Sequence, residues 1–351
     1  MECLAIGSLP YNNPEDALNI VKTYFPNIPF WPQLAKVSKN EDMTFQFLEG
    51  MPSFFVSEDD SFKFNTENEK FFEELEQFFV DYEEIILNNN HELLEKYAIS
   101  ADFSSAFRPF LELVKKCSAK FAKGQIVGPF TLSTTLTDNR GRCAIYDDTL
   151  REIIVKTLSL KALWQIEKIK ETGAVPIIFM DEPSISQLGT SAYLTISQND
   201  VVSMMKEIVD IIKSNGGLAA IHCCGKCDWS VPIKTGIDII SLDAYAFAQN
   251  LSLFHKDVKK FLENSGKIAW GVVPTLDRDA LEKADLNLMI SKFDKAVNYL
   301  TKKGINEKLI IENSYVTPSC GAGALPEKLA EKAMKLTKDL CESLKERYND
   351  N

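Results

Sequence analysis

The sequence predicts an α/β fold, a (β/α)8 barrel of the TIM type with extra N-terminal helices. Short apolar runs without strict alternation recur along the chain, and such runs are typical of strands buried on both faces. From about residue 125 onward, long amphipathic stretches separate these runs, which is the order of right-handed βαβ units. No linker, repeat or low-complexity segment divides the chain, so residues 1–351 are expected to form one domain.

Eight apolar segments are candidate strands. The first is CLAIGS at 3–8, and the second is less distinct, near 28–31 or 50–56. Eight parallel strands, each followed by a helix, predict a closed barrel. The remaining six candidates are QIVGPF at 125–130, VPIIFMDEP at 175–183, LAAIHCC at 218–224, IDIISLDA at 237–244, KIAWGVV at 267–273 and KLIIENS at 308–314.

The predicted helices have recognisable ends. Ser197 and Asp200 have the spacing of a capping box before the stretch VVSMMKEIVDIIKSN. Two further helices, at about 147–173 and 279–304, end at glycines. The acidic stretch FFEELEQFFVDYEEIIL, within residues 67–96, predicts an amphipathic helix that packs outside the barrel.

The composition is that of a soluble globular protein, with 45% hydrophobic and 25% charged residues. A formal net charge of −11 argues against nucleic acid or an anionic membrane as the main partner. The first residues, MECLAIGSLPYNN, lack the basic region of a secretory signal, and we expect a cytoplasmic location. In a reducing compartment, the eight cysteines favour metal binding or catalysis over disulfides.

Polar and sulfur-containing side chains recur where the predicted strands end. In a (β/α)8 barrel the loops that follow the strands share one face and build the active site. We therefore expect these side chains to converge there. They are Ser8, Asp181, Glu182, His222, Cys223, Cys224, Asp243 and Cys320.

The segment IHCCGKC combines a histidine with three cysteines, although the whole chain has only 3 histidines. His222 and Cys224 are two residues apart at a strand end and therefore point the same way, whereas Cys223 points to the opposite face. Cys320 follows the last predicted strand and lies at the same rim. Two thiolates and one imidazole make a zinc site with three protein ligands and one open position.

A zinc site of this kind suits thiol activation. A free thiol with a pKa of about 8.5 is mostly protonated at pH 7, and zinc coordination deprotonates it. Other interpretations of the segment remain. Cys224 and Cys227 form CxxC, which alone is weak evidence for a redox pair or for half of a zinc ribbon, and no second CxxC exists. A buried strand with incidental cysteines is the simplest alternative.

With these residues placed, the chain resembles the C-terminal catalytic barrel of the cobalamin-independent methionine synthases, within the wider uroporphyrinogen-decarboxylase-like barrels. The family's N-terminal barrel has no counterpart in this sequence, which makes the chain resemble a short form. Six segments match in order: IGSLP at 6–10, VGPFTL at 127–132, MDEPSIS at 180–186, IHCC at 221–224, ISLDA at 240–244 and PSCGAG at 318–323.

The resemblance implies particular roles for the matched residues. It implies zinc ligands at His222, Cys224, Cys320 and Asp243. Asp243, which is also the predicted catalytic residue, stands where the family has a glutamate ligand. Being one methylene shorter, it would coordinate the zinc, reach it through water or be replaced by the incoming thiolate. Ser8 and Asp181 match groups that bind the carboxylate and the ammonium of an amino-acid substrate, and Glu182 is included in this predicted substrate site.

Two departures from the family pattern concern the methyl donor. Leu276 stands where the family has a histidine that protonates the folate leaving group, and about Thr135 replaces a tryptophan that stacks on folate. Loss of a general acid costs about 10²–10⁴-fold in rate. A methylcorrinoid needs no such proton, and the chain lacks the Asp-x-His-x-x-Gly pattern of corrinoid binding. The sequence therefore predicts methyl transfer from a partner corrinoid protein to a zinc-activated thiol, homocysteine or similar.

Two other functions remain compatible with such a barrel. A metal-free decarboxylase would have no zinc and would line its mouth with arginines. The candidates for that role are Arg108, Arg140, Arg142 and Arg151. A non-catalytic corrinoid or metal-binding protein would have its zinc saturated by Asp243 and would bind no thiol.

Overall fold

The structure, a computed structural model, describes residues 1–56 and 62–349. Within these ranges no helix is both long and apolar enough to cross a membrane. The strands are β1 (Glu2–Cys3), β2 (Phe54–Val56), β3 (Phe62–Phe64), β4 (Phe121–Val127), β5 (Thr137–Asp138), β6 (Val175–Asp181), β7 (Leu218–Cys223), β8 (Ile239–Leu242), β9 (Lys267–Val273) and β10 (Ser314–Pro318). The helices are α1 (Pro14–Tyr24), α2 (Phe71–Asn88), α3 (His91–Leu94), α4 (Phe107–Cys117), α5 (Pro129–Thr135), α6 (Asp148–Lys170), α7 (Gln198–Ser214), α8 (Ser230–Lys234), α9 (Ala244–Leu251), α10 (His255–Glu263), α11 (Arg278–Lys283), α12 (Leu286–Thr301), α13 (Glu307–Glu312) and α14 (Glu327–Asn349).

The predicted α/β architecture is confirmed. Seven strands form one parallel sheet in the order β1-β10-β9-β8-β7-β6-β4. Helices that connect successive strands, such as α6 and α7, pack on the outer face of this sheet. A small second sheet joins β2, β3 and β5. Connections through helices keep the seven strands parallel and bring all their carboxyl ends to one edge.

The predicted closed eight-stranded barrel is not what the described residues form, because their parallel sheet has seven strands. Residues 29–33 lie between the two edge strands, and their backbone pairs with each of these strands through an isolated bridge. Phe30 bridges Lys123 of β4, and Gln33 bridges Ser8, which follows β1. Pro29 and Pro32 in this segment lack backbone N–H groups, so the segment cannot donate a continuous ladder. The result is a curled sheet that resembles a TIM barrel with an irregular seam.

The sheet curls enough for its concave face to enclose a small apolar core. Strand residues alternate between this inner core and the larger core under the helices. On β6, for example, Ile177 and Phe179 face inward, whereas Ile178 and Met180 pack against the helices. The inner core consists of Leu4, Ile28, Ile177, Phe179, Ala220, Ile239, Ala269 and Tyr315.

One predicted strand was wrong. KLIIENS, at 308–314, is mostly the short helix α13, and the strand β10 begins only at Ser314. The Asn306 side chain accepts hydrogen bonds from Lys308 N and Leu309 N and so caps that helix. A short apolar run is buried equally well in a helix or a strand, and its periodicity does not distinguish the two.

The predicted helices are largely present. Ser197 and Asp200 form a complete capping box at the start of α7, as predicted. The stretch at 279–304 is divided into α11 and α12, because Asp285 caps a new helix there. In the N-terminal third, α2 lies within the predicted range 67–96 and packs outside the sheet, where Tyr82 Oη contacts Glu207 of α7 at 3.3 Å.

Candidate metal centre

The inward-facing positions of the central strands end in polar residues at one level. Strand pairing places Asp181 of β6 beside His222 of β7, and His222 beside Ser241 of β8. All three continue the inward alternation of the apolar core beneath them. They are almost completely buried. The carboxyl edge of the sheet therefore carries a buried polar layer, as expected for the site of a parallel α/β fold.

His222, Cys224 and Cys320 come together at this edge. Their ligand atoms, one nitrogen and two sulfurs, all lie within 4.8 Å of one another. Tetrahedral zinc, with bonds of about 2.0–2.3 Å to nitrogen and sulfur, separates its ligand atoms by about 3.5–3.8 Å. Small side-chain movements therefore suffice for these three residues to share one ion. The sequence-predicted trio is a group that could bind a metal.

The His222 ring has one nitrogen engaged and one free. Nδ1 lies 3.0 Å from Ser241 Oγ. Nε2 is buried and has no hydrogen-bond partner among the described residues. A buried polar atom without a partner costs about 1–3 kcal/mol, so such atoms usually have a function. A ring held through one nitrogen while the other is free is the arrangement found in metal-binding histidines.

The two thiols interact directly. Contact with the Cys320 thiol, together with the nearby His222 ring, lowers the pKa of Cys224 to about 4. The same contact with Cys224 raises the pKa of Cys320. The contact therefore makes Cys224 the more readily ionised of the two thiols. A thiolate beside an imidazole and a second thiol is the donor set that Zn²⁺ prefers.

Asp243 does not belong to the group of three ligand residues. Its Oδ1 accepts a hydrogen bond from Ala246 N at 2.9 Å and caps α9. Burial raises the pKa of Asp243 to about 6, and the negative charge of Cys224 contributes to this increase. The carboxyl group is thus near enough to sense the cluster electrostatically. Its ligation of a metal remains a prediction.

Asp181 has a free oxygen beside the cluster. Oδ1 is buried and has no hydrogen-bond partner among the described residues. Burial raises the pKa of Asp181 to about 6, while the positive charge of Lys123 acts in the opposite direction. A buried carboxylate with a free oxygen is a natural receptor for a cationic group.

Lys123 is a buried charge that the sequence analysis missed. It lies on β4 inside the curled sheet, and its Nζ donates to Ile6 O and to Gln125 Oε1, the latter at 2.9 Å. Its Nζ also lies 4.5 Å from the centre of the Phe179 ring. Burial lowers the pKa of Lys123 to about 8. The signal was a lysine within the otherwise buried run of β4, because lysine is almost never fully buried without partners.

Glu182 is committed to the protein's own backbone. Its carboxylate accepts hydrogen bonds from Phe130 N at 2.8 Å, Thr131 N at 2.9 Å and Thr131 Oγ1 at 2.6 Å, and so caps α5. Gly128 makes room for it, since a Cβ there would lie 2.0 Å from Glu182 Cγ. This geometry gives Glu182 a structural role, because both of its carboxylate oxygens accept hydrogen bonds from α5. Its contact with a substrate remains a prediction.

Ser8 is likewise engaged by the protein. Its Oγ accepts a hydrogen bond from Gly323 N at 3.2 Å, and its carbonyl accepts one from Ala322 N at 2.9 Å. A Cβ at Gly321 would lie 2.1 Å from Ser8 Oγ, so the glycine permits this close approach. Ser8 therefore supports the loop that carries Cys320. Its role in binding a substrate carboxylate remains a prediction.

The remaining cysteines of IHCCGKC lie outside the cluster. Cys223 and Cys227 are buried in the core under the helices, as the strand alternation predicted for Cys223. Burial and contact with Cys223 raise the pKa of Cys227. Protonated, buried thiols behave as small apolar groups. Cys227 is therefore no part of the donor set that the described residues bring together.

Leu276 and Thr135 are the two positions at which the sequence departs from the folate contacts of the family that it resembles. Leu276 follows β9 and is 60% exposed. The Thr135 hydroxyl donates to Thr131 O at 2.8 Å within α5. Two of the candidate arginines also have local partners: Arg142 donates to Tyr146 O, and Arg151 donates to Ile145 O. These arginine contacts lend no support to the decarboxylase alternative.

Comparison with known proteins gives matches among solved structures alone. No family model matches the sequence, and no curated protein matches it. Among solved structures, the chain is similar to a Listeria monocytogenes protein provisionally assigned as a vitamin-B12 independent methionine synthase. The two share 17% sequence identity with a TM-score of 0.45, over 67% of this chain and 69% of that chain. This similarity is too distant to assign an activity.

The three clustered residues should bind one metal ion per chain. We expect zinc to be retained by the wild-type protein and to be lost or greatly weakened in His222→Ala, Cys224→Ala and Cys320→Ala, because each removes one of three ligands. Metal content after dialysis, measured by elemental analysis, tests this. Cys227→Ala is the matched control, and it should keep its zinc. Retention of full zinc content by Cys320→Ala would contradict the cluster.

Glu182 should make the stability of the metal-free protein depend on pH. Burial raises the pKa of Glu182 from 4.5 to about 7 in the folded state. Between these values the folded protein holds a proton that the unfolded chain has released, so stability falls as pH rises through this window. The decrease should be roughly 2–3 kcal/mol, at about 1.4 kcal/mol for each pKa unit.

The variant Glu182→Gln isolates this contribution. It cannot titrate, so its free energy of unfolding should fall less between pH 4.5 and 7 than that of the wild type. It should also be less stable at every pH, because an amide NH2 replaces an oxygen that accepts from α5. Urea unfolding at a series of pH values measures both effects. The exposed Glu69→Gln is the control, and equal pH slopes for wild type and Glu182→Gln would refute the assignment.

Proposed function

We propose that this protein is a zinc-dependent methyltransferase that transfers a methyl group from a methylcorrinoid, carried by a partner protein, to a substrate thiol such as that of homocysteine. The observation that carries the proposal is the meeting of a His222 ring nitrogen and the two sulfurs of Cys224 and Cys320 within 4.8 Å. Three protein ligands leave tetrahedral zinc one position for a substrate. Zinc held there would lower the pKa of a substrate thiol and keep its sulfur nucleophilic.

The donor set itself favours thiol chemistry over hydrolysis. Two sulfurs donate more charge to a metal than the histidine and carboxylate ligands common in hydrolases, so the metal is a weaker electrophile. Ser241 keeps the His222 ring in one orientation through Nδ1. His222 is buried and the two cysteines are half-buried, and partial exclusion of water strengthens the electrostatic interactions that orient a reacting group.

Asp181 is the proposed receptor for the ammonium of the thiol substrate. Its buried Oδ1 lacks a partner among the described residues and lies on the strand that pairs with β7 next to His222. The charge of Lys123, deeper in the sheet, favours the ionised form of Asp181. A carboxylate at this place would fix an amino-acid thiol with its sulfur near the cluster. Asp243, whose Oδ1 caps α9, is the proposed fourth group near the metal.

The proposed methyl donor is supported by the residue at position 276. Leu276, in the loop that follows β9, is exposed and its side chain has no proton to give. A folate nitrogen must be protonated to leave, whereas cobalt in a corrinoid leaves without a proton. This difference supports a methylcorrinoid donor, which reaches the open rim on a separate protein.

The donor is tested by a direct comparison of methyl sources. Zinc-loaded protein should form methionine from homocysteine with methylcobalamin and should be inactive with methyltetrahydrofolate, because Leu276 stands in place of the histidine that would protonate the leaving nitrogen. Product formation measured by mass spectrometry decides this. Cys320→Ala is the negative control. Activity with the folate alone would overturn the donor assignment, and inactivity with both would overturn the methyltransferase itself.

The role of Asp181 predicts a change in substrate preference. Asp181→Asn should lower kcat/KM for homocysteine by roughly 10- to 100-fold, since a hydrogen bond between charged groups is worth about 1.5–3 kcal/mol. The same variant should leave kcat/KM unchanged for 4-mercaptobutyrate, which has the thiol and the carboxylate but no amino group. Asp210→Asn, at an exposed position on α7, is the matched control. Equal losses with both thiols would show that Asp181 does not bind the ammonium.

A further inference from the structure

The strand pairing that positions His222 does not extend to Cys320. The register between β10 and β9 shifts between Thr317 and Pro318, just before the cysteine. Pro318 has no backbone N–H to donate, so the ladder cannot simply continue through it. Ser319 N still donates to Val273 O at 2.8 Å. Beyond that point, something other than the sheet must hold the metal-binding cysteine in place.

Thr275, in the loop that follows β9, holds the backbone of Cys320 in place. Cys320 N donates to Thr275 Oγ1 at 2.9 Å, and Thr275 Oγ1 donates to Cys320 O at 2.9 Å. One hydroxyl thus satisfies both backbone polar groups of the cysteine. A further hydrogen bond, from Thr275 N to Ser319 Oγ at 3.0 Å, joins Thr275 to the residue before Cys320.

Each hydroxyl proton in this network has one acceptor. Thr275 Oγ1 has a single proton, which goes to Cys320 O, so the 3.2 Å contact with Ser319 Oγ has Ser319 as the donor. Thr275 and Ser319 are 4% and 1% exposed, so water cannot replace a lost partner without rearrangement. Ser8 holds the other side of the same loop through Gly323 N. The backbone of Cys320 is therefore fixed from two neighbouring strands.

We infer that Thr275 is the positioning residue for Cys320 and thereby sets the metal affinity of the centre. The inference rests on the proposed zinc site, but it concerns a residue that neither contacts the ion nor belongs to the matched family segments. A cysteine whose backbone is held at both N and O needs little further ordering when a metal binds. Without the hydroxyl, the loop must become ordered when the metal binds, and the free-energy cost of that ordering lowers the metal affinity.

The test replaces Thr275 with valine, which has nearly the same shape and lacks the hydroxyl. Zinc affinity, measured by competition with a chromophoric chelator, should fall about 10- to 100-fold, the range for groups that orient metal ligands. Thr275→Ser keeps the hydroxyl and should restore the affinity. Thr337→Val is the matched control: Thr337 is a buried threonine on α14 whose Oγ1 donates to Ala333 O at 2.8 Å, away from the cluster. Its zinc affinity should equal that of the wild type.

A double-variant cycle separates positioning of Cys320 from a general effect on the fold. In a Cys320→Ser background, Thr275→Val should cause little further loss of zinc affinity, because the ligand it positions is already gone. An undiminished loss in that background, or unchanged affinity of Thr275→Val alone, would overturn the inference while leaving the metal centre intact. If the wild type binds no zinc at all, the proposed function fails and this inference fails with it.

Discussion

The register between parallel strands is the constraint on which the candidate site depends. Side chains alternate along each strand, so the pairing of Asp181 with His222 and of His222 with Ser241 places all three on the same inner level. A shift of one residue would move the imidazole to the helix side of the sheet. The apolar core below stabilises this register. Its residues Phe179 and Ala220 lie two positions before Asp181 and His222, on the same face of their strands.

The site concentrates polar groups that the fold alone does not satisfy. His222 Nε2 and Asp181 Oδ1 are buried without partners among the described residues. Each costs free energy that a purely structural sheet would avoid. Two polar groups beside them are well bonded: Ser241 contacts His222 Nδ1, and three donors from α5 bind the carboxylate of Glu182. The contrast between satisfied supports and unsatisfied central atoms is the pattern of a binding site.

Charge is distributed around the cluster in a consistent way. Lys123 brings a positive charge into the interior beneath Asp181 and is itself held by Ile6 O and Gln125 Oε1. The thiolate of Cys224 is stabilised by Cys320 and His222. Burial and the charge of Cys224 raise the carboxyl pKa values of Asp181 and Asp243. A cation bound between these three residues would relieve the repulsion among their negative charges.

The sequence alone was sufficient for the α/β fold, for the strand ends that carry the site and for the trio of His222, Cys224 and Cys320, because strand alternation and strand-end positions are local properties. It was insufficient for the seam at 29–33, where prolines interrupt the hydrogen-bond ladder between strands. It was also insufficient for KLIIENS, which is buried equally well as a helix or as a strand. Only the tertiary structure shows that Glu182 caps α5 and that Thr275 holds Cys320. Such pairings join residues about fifty positions apart, and their geometry depends on how neighbouring strands end in space, which no local pattern encodes.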